Sequence, residues 1–470
     1  MEDKFSRKTF RLRLEEMTRT LREDILSGKR PPGEFLPSEQ DLARQFHISN
    51  KTVRKGLEVL QQEGLIEKMP KIGSRVANPS TDGRVVIRFG YHGTLIRELG
   101  MAQLLADFHR RYPHIRVQPL EIPRDRYFRF VNDCMESGML DLVTINQHNF
   151  QEFSEKGKSV LFEPQQEQPG MQPFLASTFR SGSRTFAPSA TGELLAQPLV
   201  FSPIILCYNK DHFADAGLLE PDSSWTWNTL LDAAERLAVE NERFGFYFHL
   251  FSTNRWPIFL LQCGDRFQRD ASGNYSIAGT RLLDGLELCR KIVSMPHVFP
   301  ALLSGSDADA EELFLQGKVS MILTTYFGLN DLKHASITYD VAPVPHLNEF
   351  KTLLAVIGLA MNRKTDNREA VKTFAEYLLS YESQLSIRRN TYSLPALKAA
   401  ADWEGQESLT RPSRFHMYRE IIPTFKPFTD LGLTTEQLED VFREAKWYWS
   451  KLQDKSTACK RIEAGLNGQG

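Results

Sequence analysis

The chain has 470 residues, a formal net charge of −1 at pH 7 and 41% hydrophobic side chains. The length suggests about three compact units of roughly 150 residues each, and the hydrophobic fraction is ordinary for a globular protein. The near-zero net charge excludes a gross affinity of the whole chain for nucleic acid or anionic membranes, although residues 1–80 carry 16 Lys and Arg against 12 Asp and Glu.

The first predicted element is an amphipathic helix over residues 9–27, which ends at Gly28. A second, short helix follows Pro37. The hydroxyl of Ser38 can cap it, and Asp41 completes a variant capping box. A turn at 47–48 then leads to a third helix, capped by Ser49. Each helix carries one apolar face at helical spacing. The residues of these faces are Leu14, Met17, Leu21 and Ile25, then Leu42, Ala43 and Phe46, then Val53, Leu57 and Leu60.

The third helix collects polar and basic residues at its start, mostly off its apolar face. This is where a recognition helix meets base edges and phosphates. Asn can read adenine and Arg can read guanine, each through two hydrogen bonds. Strands are predicted over 64–68 and 74–76, joined by a turn over 70–73, and they form a wing. A small helical domain with a solvated basic face is the alternative, and the order of the elements argues against it.

This segment resembles the GntR family of winged helix-turn-helix regulators over about residues 9–78. The resemblance is carried by residues 21–29, 36–39 (Leu-Pro-Ser-Glu), 52–54 (Thr-Val-Arg) and 63–67. It implies a DNA-binding domain over 1–78. The DNA-binding positions are Ser38, Gln40, Ser49, Asn50, Lys51, Thr52, Arg54, Lys55, Lys71 and Gly73. Gln40 replaces a usual Arg, Asn50-Lys51 a usual Arg-Thr, and Lys71-Ile72 a common Gly-Lys, so the operator sequence is left open.

Residues 79–84 read as a linker by composition. Beyond it we predict a strand over 85–90, a helix over 100–112, and strands over 115–120 and 140–145. Such alternation is typical of a mostly parallel sheet with helices on its faces. In open sheets of this kind, ligands bind beyond the carboxyl ends of the strands.

The same order resembles the family of extracellular solute-binding proteins that serve sugar transporters, with the periplasmic type II fold. The resemblance covers about residues 84–400 and implies two lobes within 85–470, with a ligand in the cleft between them and closure by a hinge motion. It also implies crossings between the lobes near 196–202, 335–345 and 385–392. The segments that carry it are 104–117, 140–145, 206–218, 225–234, 314–321 and 357–362. The fold class is therefore α/β, a winged helix-turn-helix followed by a two-lobed domain.

Sugar sites combine aromatic faces for the ring with polar groups for the hydroxyls. Some candidates follow predicted strands or lie near the crossings, and Arg255 and Trp256 lie in a polar loop before an apolar helix. Tyr326 stands where the solute-binding family usually places a stacking Trp. Ile357 replaces a second such Trp. For each candidate the alternative is a packed aromatic or a surface-loop residue. The candidate ligand residues are Tyr91, His92, Asn146, Arg255, Trp256, Tyr326, Arg389 and Tyr392.

No apolar run approaches the roughly 18 residues of a membrane span, and the charged start lacks the apolar core of a signal peptide. We therefore expect a cytoplasmic protein without a membrane partner. The five cysteines are widely spaced and include no Cys-x-x-Cys, so we expect reduced, mostly buried thiols and no metal site. They are Cys134, Cys207, Cys263, Cys289 and Cys459.

These observations predict a ligand-responsive regulator, not an enzyme, that binds double-stranded operator DNA as a homodimer and senses a small molecule, best a sugar. No cofactor is expected. A pyridoxal-phosphate aminotransferase domain is one alternative, but Lys318 and Lys333 lack the setting of a Schiff-base lysine. No His-Glu-x-x-His, Gly-x-Ser-x-Gly or phosphate-cradling loop occurs. A second alternative is a cytoplasmic solute-binding protein whose winged domain does not bind DNA.

Overall fold

A computed structural model describes residues 2–26, 29–62, 64–69, 72–77, 84–123, 126–182, 192–300, 305–406 and 409–468. The predicted helix end at Gly28, the wing residue Lys71 and most of the predicted linker lie outside these ranges. None of the described helices is long and apolar enough to cross a membrane.

The N-terminal part is a three-helix unit with a two-stranded wing. Its elements are α1 (Glu2–Leu26), α2 (Glu39–Gln45), α3 (Asn50–Gln62), β1 (Ile66–Met69) and β2 (Gly73–Val76). Met17, Leu21 and Ile25 of α1 are buried in one core cluster with Val53, Leu57 and Leu60 of α3. The two strands pair antiparallel. The predicted inward faces and the wing are therefore confirmed, while α1 begins seven residues earlier than predicted.

The rest of the chain alternates strands and helices before a mostly helical tail, residues 409–468. The strands are β3 (Val85–His92), β4 (Ile115–Ile122), β5 (Leu142–Asn146), β6 (Gln197–Asn209), β7 (Phe244–Tyr247), β8 (Val319–Thr325), β9 (Tyr339–Ala342), β10 (Thr352–Met361), β11 (Leu394–Pro395) and β12 (Phe425–Lys426). The helices are α4 (Leu95–Leu99), α5 (Met101–Arg111), α6 (Tyr127–Glu136), α7 (Gln147–Glu155), α8 (Lys210–Asp215), α9 (Trp227–Leu237), α10 (Pro257–Leu261), α11 (Leu282–Val293), α12 (Asp307–Leu315), α13 (Arg368–Leu379), α14 (Tyr381–Asn390), α15 (Lys398–Ala401), α16 (Tyr418–Ile421), α17 (Thr435–Trp449) and α18 (Lys455–Leu466).

The strands form two lobes that share one long strand. The sheet order is β4-β3-β5-β10-β6-β8-β7. In the first lobe β3 runs parallel to β4 and β5, as the alternation of elements predicts. However, β10 runs antiparallel to β5 and β6, so the sheet is mixed and the prediction of a mostly parallel sheet is wrong. In the second lobe the later part of β6 pairs antiparallel with β8 and β9. Every residue of β6 is buried, so this strand carries the chain through the core from one lobe to the other.

The passages between lobes can now be located. The range 196–202 lies mostly on β6, which continues into the second lobe. The range 335–345 holds β9, which still pairs within the second lobe, and the return passage follows it, over 343–351 before β10. The range 385–392 covers the end of α14 and the connection to β11. The tail returns to the strands that link the two lobes, because β12 pairs parallel with β10 at Thr352 and Leu353.

The five cysteines are buried and none is bridged. Burial raises the pKa of Cys263 to about 12 and that of Cys459 to about 11. A thiol with so high a pKa holds its proton at neutral pH, and only the thiolate is a good nucleophile or metal ligand. These side chains therefore act as small apolar residues of the core.

Candidate DNA-contacting surface and ligand cleft

Side-chain caps fix the two helices of the helix-turn-helix. Ser38 Oγ accepts the backbone N–H of Asp41 at 3.2 Å and donates to its carboxylate at 2.6 Å. Ser49 Oγ accepts the backbone N–H of Thr52 at 3.2 Å. His47 takes a positive φ of 52° in the turn, and its carbonyl accepts from Arg13 at 3.1 Å. Caps of this kind stabilise a helix start by about 1 kcal/mol, so α3 begins at a defined place.

The start of α3 presents one polar surface. Asn50, Lys51, Arg54 and Lys55 are exposed and Thr52 is half-buried, while Val53, Leu57 and Leu60 of α3 are buried in the core shared with α1. Ser38, Gln40 and Ser49 are exposed nearby, and Gly73 is exposed in the wing. Apart from the half-buried Thr52, the structure therefore brings the described candidate DNA-binding residues to exposed positions on the helix pair and the wing.

One contact in this surface has no signature in the sequence. The Nε atom of Arg54 donates to Glu39 Oε2 at 2.7 Å, and the hydrogen bond raises the pKa of Arg54. Glu39 is the first residue of α2 and lies 15 positions before Arg54. Spacing within a helix cannot reveal this pair, because it depends on how α2 and α3 cross.

A cleft lies between the two lobes, bounded by the hinge strands β6 and β10. The first lobe contributes the start of α7, and the second contributes the loop after β7 and the end of β8. The tail closes one side with Phe428. The lining residues are Asn146, Gln147, His148, Ile204, Thr253, Asn254, Thr325, Leu353, Leu354, Ala355, Val356 and Phe428.

The lining combines apolar hinge residues with uncharged polar groups. Asn146 uses its side-chain oxygen to cap α7, where it accepts the N–H of Asn149 at 2.8 Å. Burial lowers the pKa of His148, so its ring is neutral at pH 7. The rings of His148 and Phe428 lie with centroids 5.3 Å apart. The cleft therefore offers hydrogen bonds and an aromatic surface without a charged side chain in its lining.

Of the eight candidate ligand residues, the structure places Asn146 in this lining. Trp256 is 1% exposed and stacks on Phe442 at 5.2 Å within the second lobe. Tyr326 is fully buried, and its hydroxyl donates to the carbonyl of Phe415 at 2.8 Å. The tail covers both rings, with Phe442 on Trp256 and Phe415 on Tyr326. The expectation that these rings face the cleft is therefore wrong for this conformation.

The remaining candidates have local partners. Arg255 is buried, 3.8 Å from Asp307 and 3.9 Å from Glu311. Tyr392 is buried and donates to the carbonyl of Thr410 at 2.6 Å. The other three are not part of the cleft lining. Arg389 lies over the Trp403 ring at 5.4 Å, Tyr91 packs near Phe89, and His92 Nδ1 lies 3.1 Å from the Thr94 hydroxyl.

Most residues of the cleft lining are not among the candidates predicted from the sequence. Thr325 is the last residue of β8, so the rule that ligands bind beyond strand ends could have selected it. Thr253 and Asn254 lie in the loop just before the proposed Arg255. Phe428 had no sequence signal, since it reaches the cleft only through the return of the tail to β10.

The tail also bridges the lobes directly. Glu155 is the last residue of α7 in the first lobe. The Glu155 carboxylate accepts one hydrogen bond from the backbone N–H of Thr435 at 3.0 Å and another from the Thr435 hydroxyl at 2.6 Å. Thr435 opens α17, which packs on α11 of the second lobe. A carboxylate at a helix N-terminus is favoured by the helix dipole. This contact therefore ties the first lobe, through α17, to the second lobe.

Replacing Glu155 with glutamine should weaken the attachment of the two lobes to each other. Hydrogen bonds to a charged group contribute roughly 1.5–3 kcal/mol, and the amide keeps the shape but not the charge. We expect a larger radius of gyration in small-angle X-ray scattering. Glu152→Gln is the matched control, because Glu152 lies on the same helix and pairs with Lys156 inside the first lobe. Equal scattering curves for wild type and Glu155→Gln would show that this contact does not hold the lobes together.

Both the winged domain and the two-lobed domain match models of known protein families. Residues 94–385, more than half of the chain, match the family model of the bacterial extracellular solute-binding protein. The chain belongs to that family. Residues 14–76 match the model of bacterial regulatory proteins of the gntR family, which covers the winged helix-turn-helix. The solute-binding domain and the winged domain are thus joined in one polypeptide.

Individual relatives are distant. A binding protein of Brucella abortus (strain 2308) is 24% identical over 216 residues, which cover 45% of this chain and 52% of that protein. The sn-glycerol-3-phosphate-binding periplasmic protein UgpB of Shigella dysenteriae serotype 1 is 27% identical over 250 residues, 49% of this chain and 54% of UgpB. The chain thus spans about half the length of the curated relatives it matches.

Solved structures confirm the two-lobed fold. The substrate-binding protein Lmo0181 of Listeria monocytogenes, in complex with cycloalternan, has a TM-score of 0.68 and 20% identity, covering 82% of this chain and 98% of that one. The maltose-bound T. maritima MalE3 has a TM-score of 0.68 and 17% identity, covering 81% and 99%. At these identities the likeness establishes the fold alone.

Proposed function

We propose that the chain is a ligand-responsive transcriptional regulator, and not an enzyme, whose effector is a carbohydrate. A single observation carries the proposal. A DNA-binding type of domain is joined to a solute-binding domain whose cleft is lined by neutral hydrogen-bonding groups and an aromatic ring. Sugars require that combination, because hydroxyls need polar partners and ring faces need apolar ones.

The proposed macromolecular partner is double-stranded operator DNA, which places the protein in the cytoplasm. The exposed polar start of α3 supports this assignment. We further propose a homodimer, because one winged domain offers few contacts and paired recognition helices need half-sites one helical turn apart. Sedimentation should give two chains per operator, and one chain would contradict the dimer. Operator footprinting separates this function from that of a solute-binding protein whose winged domain does not bind DNA.

The effector would act by changing the positions in which the two winged domains of the dimer meet DNA. A ligand can change DNA binding only through its different affinity for two conformations. The lobes offer such a pair, open and closed. The first lobe also touches the winged domain, since Arg126 at the start of α6 lies 3.9 Å from Glu23 of α1. This contact supports a route from lobe closure to the winged domain.

Neutral sugars should raise the thermal melting temperature of the protein, because a ligand that binds only the folded state stabilises it by mass action. Asn254→Ala should weaken the binding of the active sugar roughly tenfold, the effect of losing about one hydrogen bond. The control is Asn390→Ala, an exposed change outside the cleft lining. If no sugar shifts the melt but an amino acid, peptide or metal does, the carbohydrate assignment is wrong.

A further inference from the structure

The Glu39–Arg54 pair bears on how the protein would read a base. The guanidinium of Arg54 has five N–H donors in a fixed plane. Its Nε atom is engaged by Glu39 at 2.7 Å, and within the described part of the chain neither Nη1 nor Nη2 makes a hydrogen bond. The Arg54 side chain is 60% exposed. The pair therefore turns a flexible cation into an oriented one with its two terminal nitrogens available.

We propose that Glu39 is a positioning residue for base reading, which holds Arg54 through Nε so that Nη1 and Nη2 meet the O6 and N7 acceptors of a guanine. This inference rests on the proposed DNA-binding function. Guanine presents those two acceptors side by side in the major groove, and an arginine fork matches them. With Nε occupied, the end-on pair of Nη atoms is the remaining bidentate arrangement.

The placement of Glu39 is itself well defined. It opens α2 directly after the Ser38 cap, and a carboxylate in a first helical turn is favoured by the helix dipole. The other cations at the start of α3 differ from Arg54. Lys51 and Lys55 have no ion pair within the described residues, and a lysine ammonium on a flexible stem acts as a point charge rather than a planar fork. Arg54 is thus the cation of α3 prepared for base recognition.

The wing provides a matched control. Arg75 Nε donates to Glu67 Oε1 at 2.8 Å, which is the same kind of contact in the same domain. Glu67→Gln therefore removes the same negative charge as Glu39→Gln without touching Arg54. Any general gain in DNA affinity from the lost charge will appear in both variants, whereas a loss of base preference will appear only at Glu39.

The experiment uses the full chain. Duplexes are selected from a randomised pool with the wild-type protein, and affinities are then measured for the selected duplex and for versions with each guanine replaced. Glu39→Ala should weaken binding to the selected duplex about tenfold, and its preference at one guanine should fall below about threefold. Glu39→Gln should be intermediate, because its amide oxygen still accepts the Nε–H. Glu67→Gln should keep the wild-type preference.

Two further measurements separate positioning from a merely structural role. In an Arg54→Ala background, Glu39→Ala should change base preference no further, since the two residues act as a unit. The thermal melt of Glu39→Gln should match wild type. Tighter binding by Glu39→Ala, or equal weakening on every duplex, would overturn the proposal and leave DNA binding intact. If the wild-type protein selects no sequence and binds no duplex, the proposed function fails and this inference fails with it.

Discussion

Replacing Arg54 with alanine should cost operator binding about 1–3 kcal/mol and relax base preference at one position. The side chain is 60% exposed on the second turn of α3, and its pair with Glu39 leaves its terminal nitrogens free to meet a base. Since the Arg54 side chain is mostly exposed, the free energy of unfolding should change little. Fluorescence anisotropy with labelled operator, and with duplexes altered at single positions, measures both effects.

The control is Arg110→Ala, which removes the same charge from an exposed helix of the first lobe. Lys51→Ala offers a contrast. If Lys51 contacts a phosphate, its loss weakens binding uniformly across sequences and lowers the slope of the salt dependence by about 1. Wild-type affinity in both the Arg54 and Lys51 variants would remove α3 from the DNA interface and would contradict the proposed binding mode.

Replacing Trp256 with alanine should lower the free energy of unfolding by about 3–5 kcal/mol, the usual cost of deleting a buried aromatic side chain. Trp256 is 1% exposed, and its ring stacks on Phe442 and meets Trp449 edge-on at 6.0 Å. The deletion would leave a cavity between α10 and α17. Chemical denaturation of the solute-binding domain within the full chain measures the loss.

Trp447→Ala is the control for this change. Trp447 also lies on α17 but is 47% exposed, so its removal should shift the stability by roughly 0.5 kcal/mol or less. The two interpretations of Trp256 then separate clearly. If Trp256→Ala keeps wild-type stability but abolishes the sugar-induced rise in melting temperature, Trp256 contacts the ligand and the packed arrangement is not the functional one.

The local elements were predictable because their causes are local. Caps, turn residues and apolar periodicity located α2, α3 and the wing to within a few residues, and β3, α5, β4 and β5 nearly as well. Each depends on interactions between residues two to four positions apart, such as the Ser38 cap with Asp41. The buried faces of α1 and α3 followed for the same reason.

The cleft was only partly predictable. The rule that ligands bind at strand ends located Asn146 and its neighbours correctly beside the cleft. Tyr326, which was selected because the solute-binding family usually has a stacking Trp there, is buried in the core, and the preceding residue Thr325 lines the cleft. A period of two along a strand cannot say which of its faces a distant tail will cover.

The sequence by itself therefore determined the two kinds of domain and their order, through the resemblance of their segments to two families, and the exposed start of α3, through short-range patterning. Only the tertiary structure decided that the tail buries Trp256 and Tyr326, brings Phe428 to the cleft and joins the lobes at Glu155, and that Glu39 holds Arg54. These are contacts between residues 15 to 280 positions apart. Such contacts depend on how whole elements pack, and no local spacing encodes that.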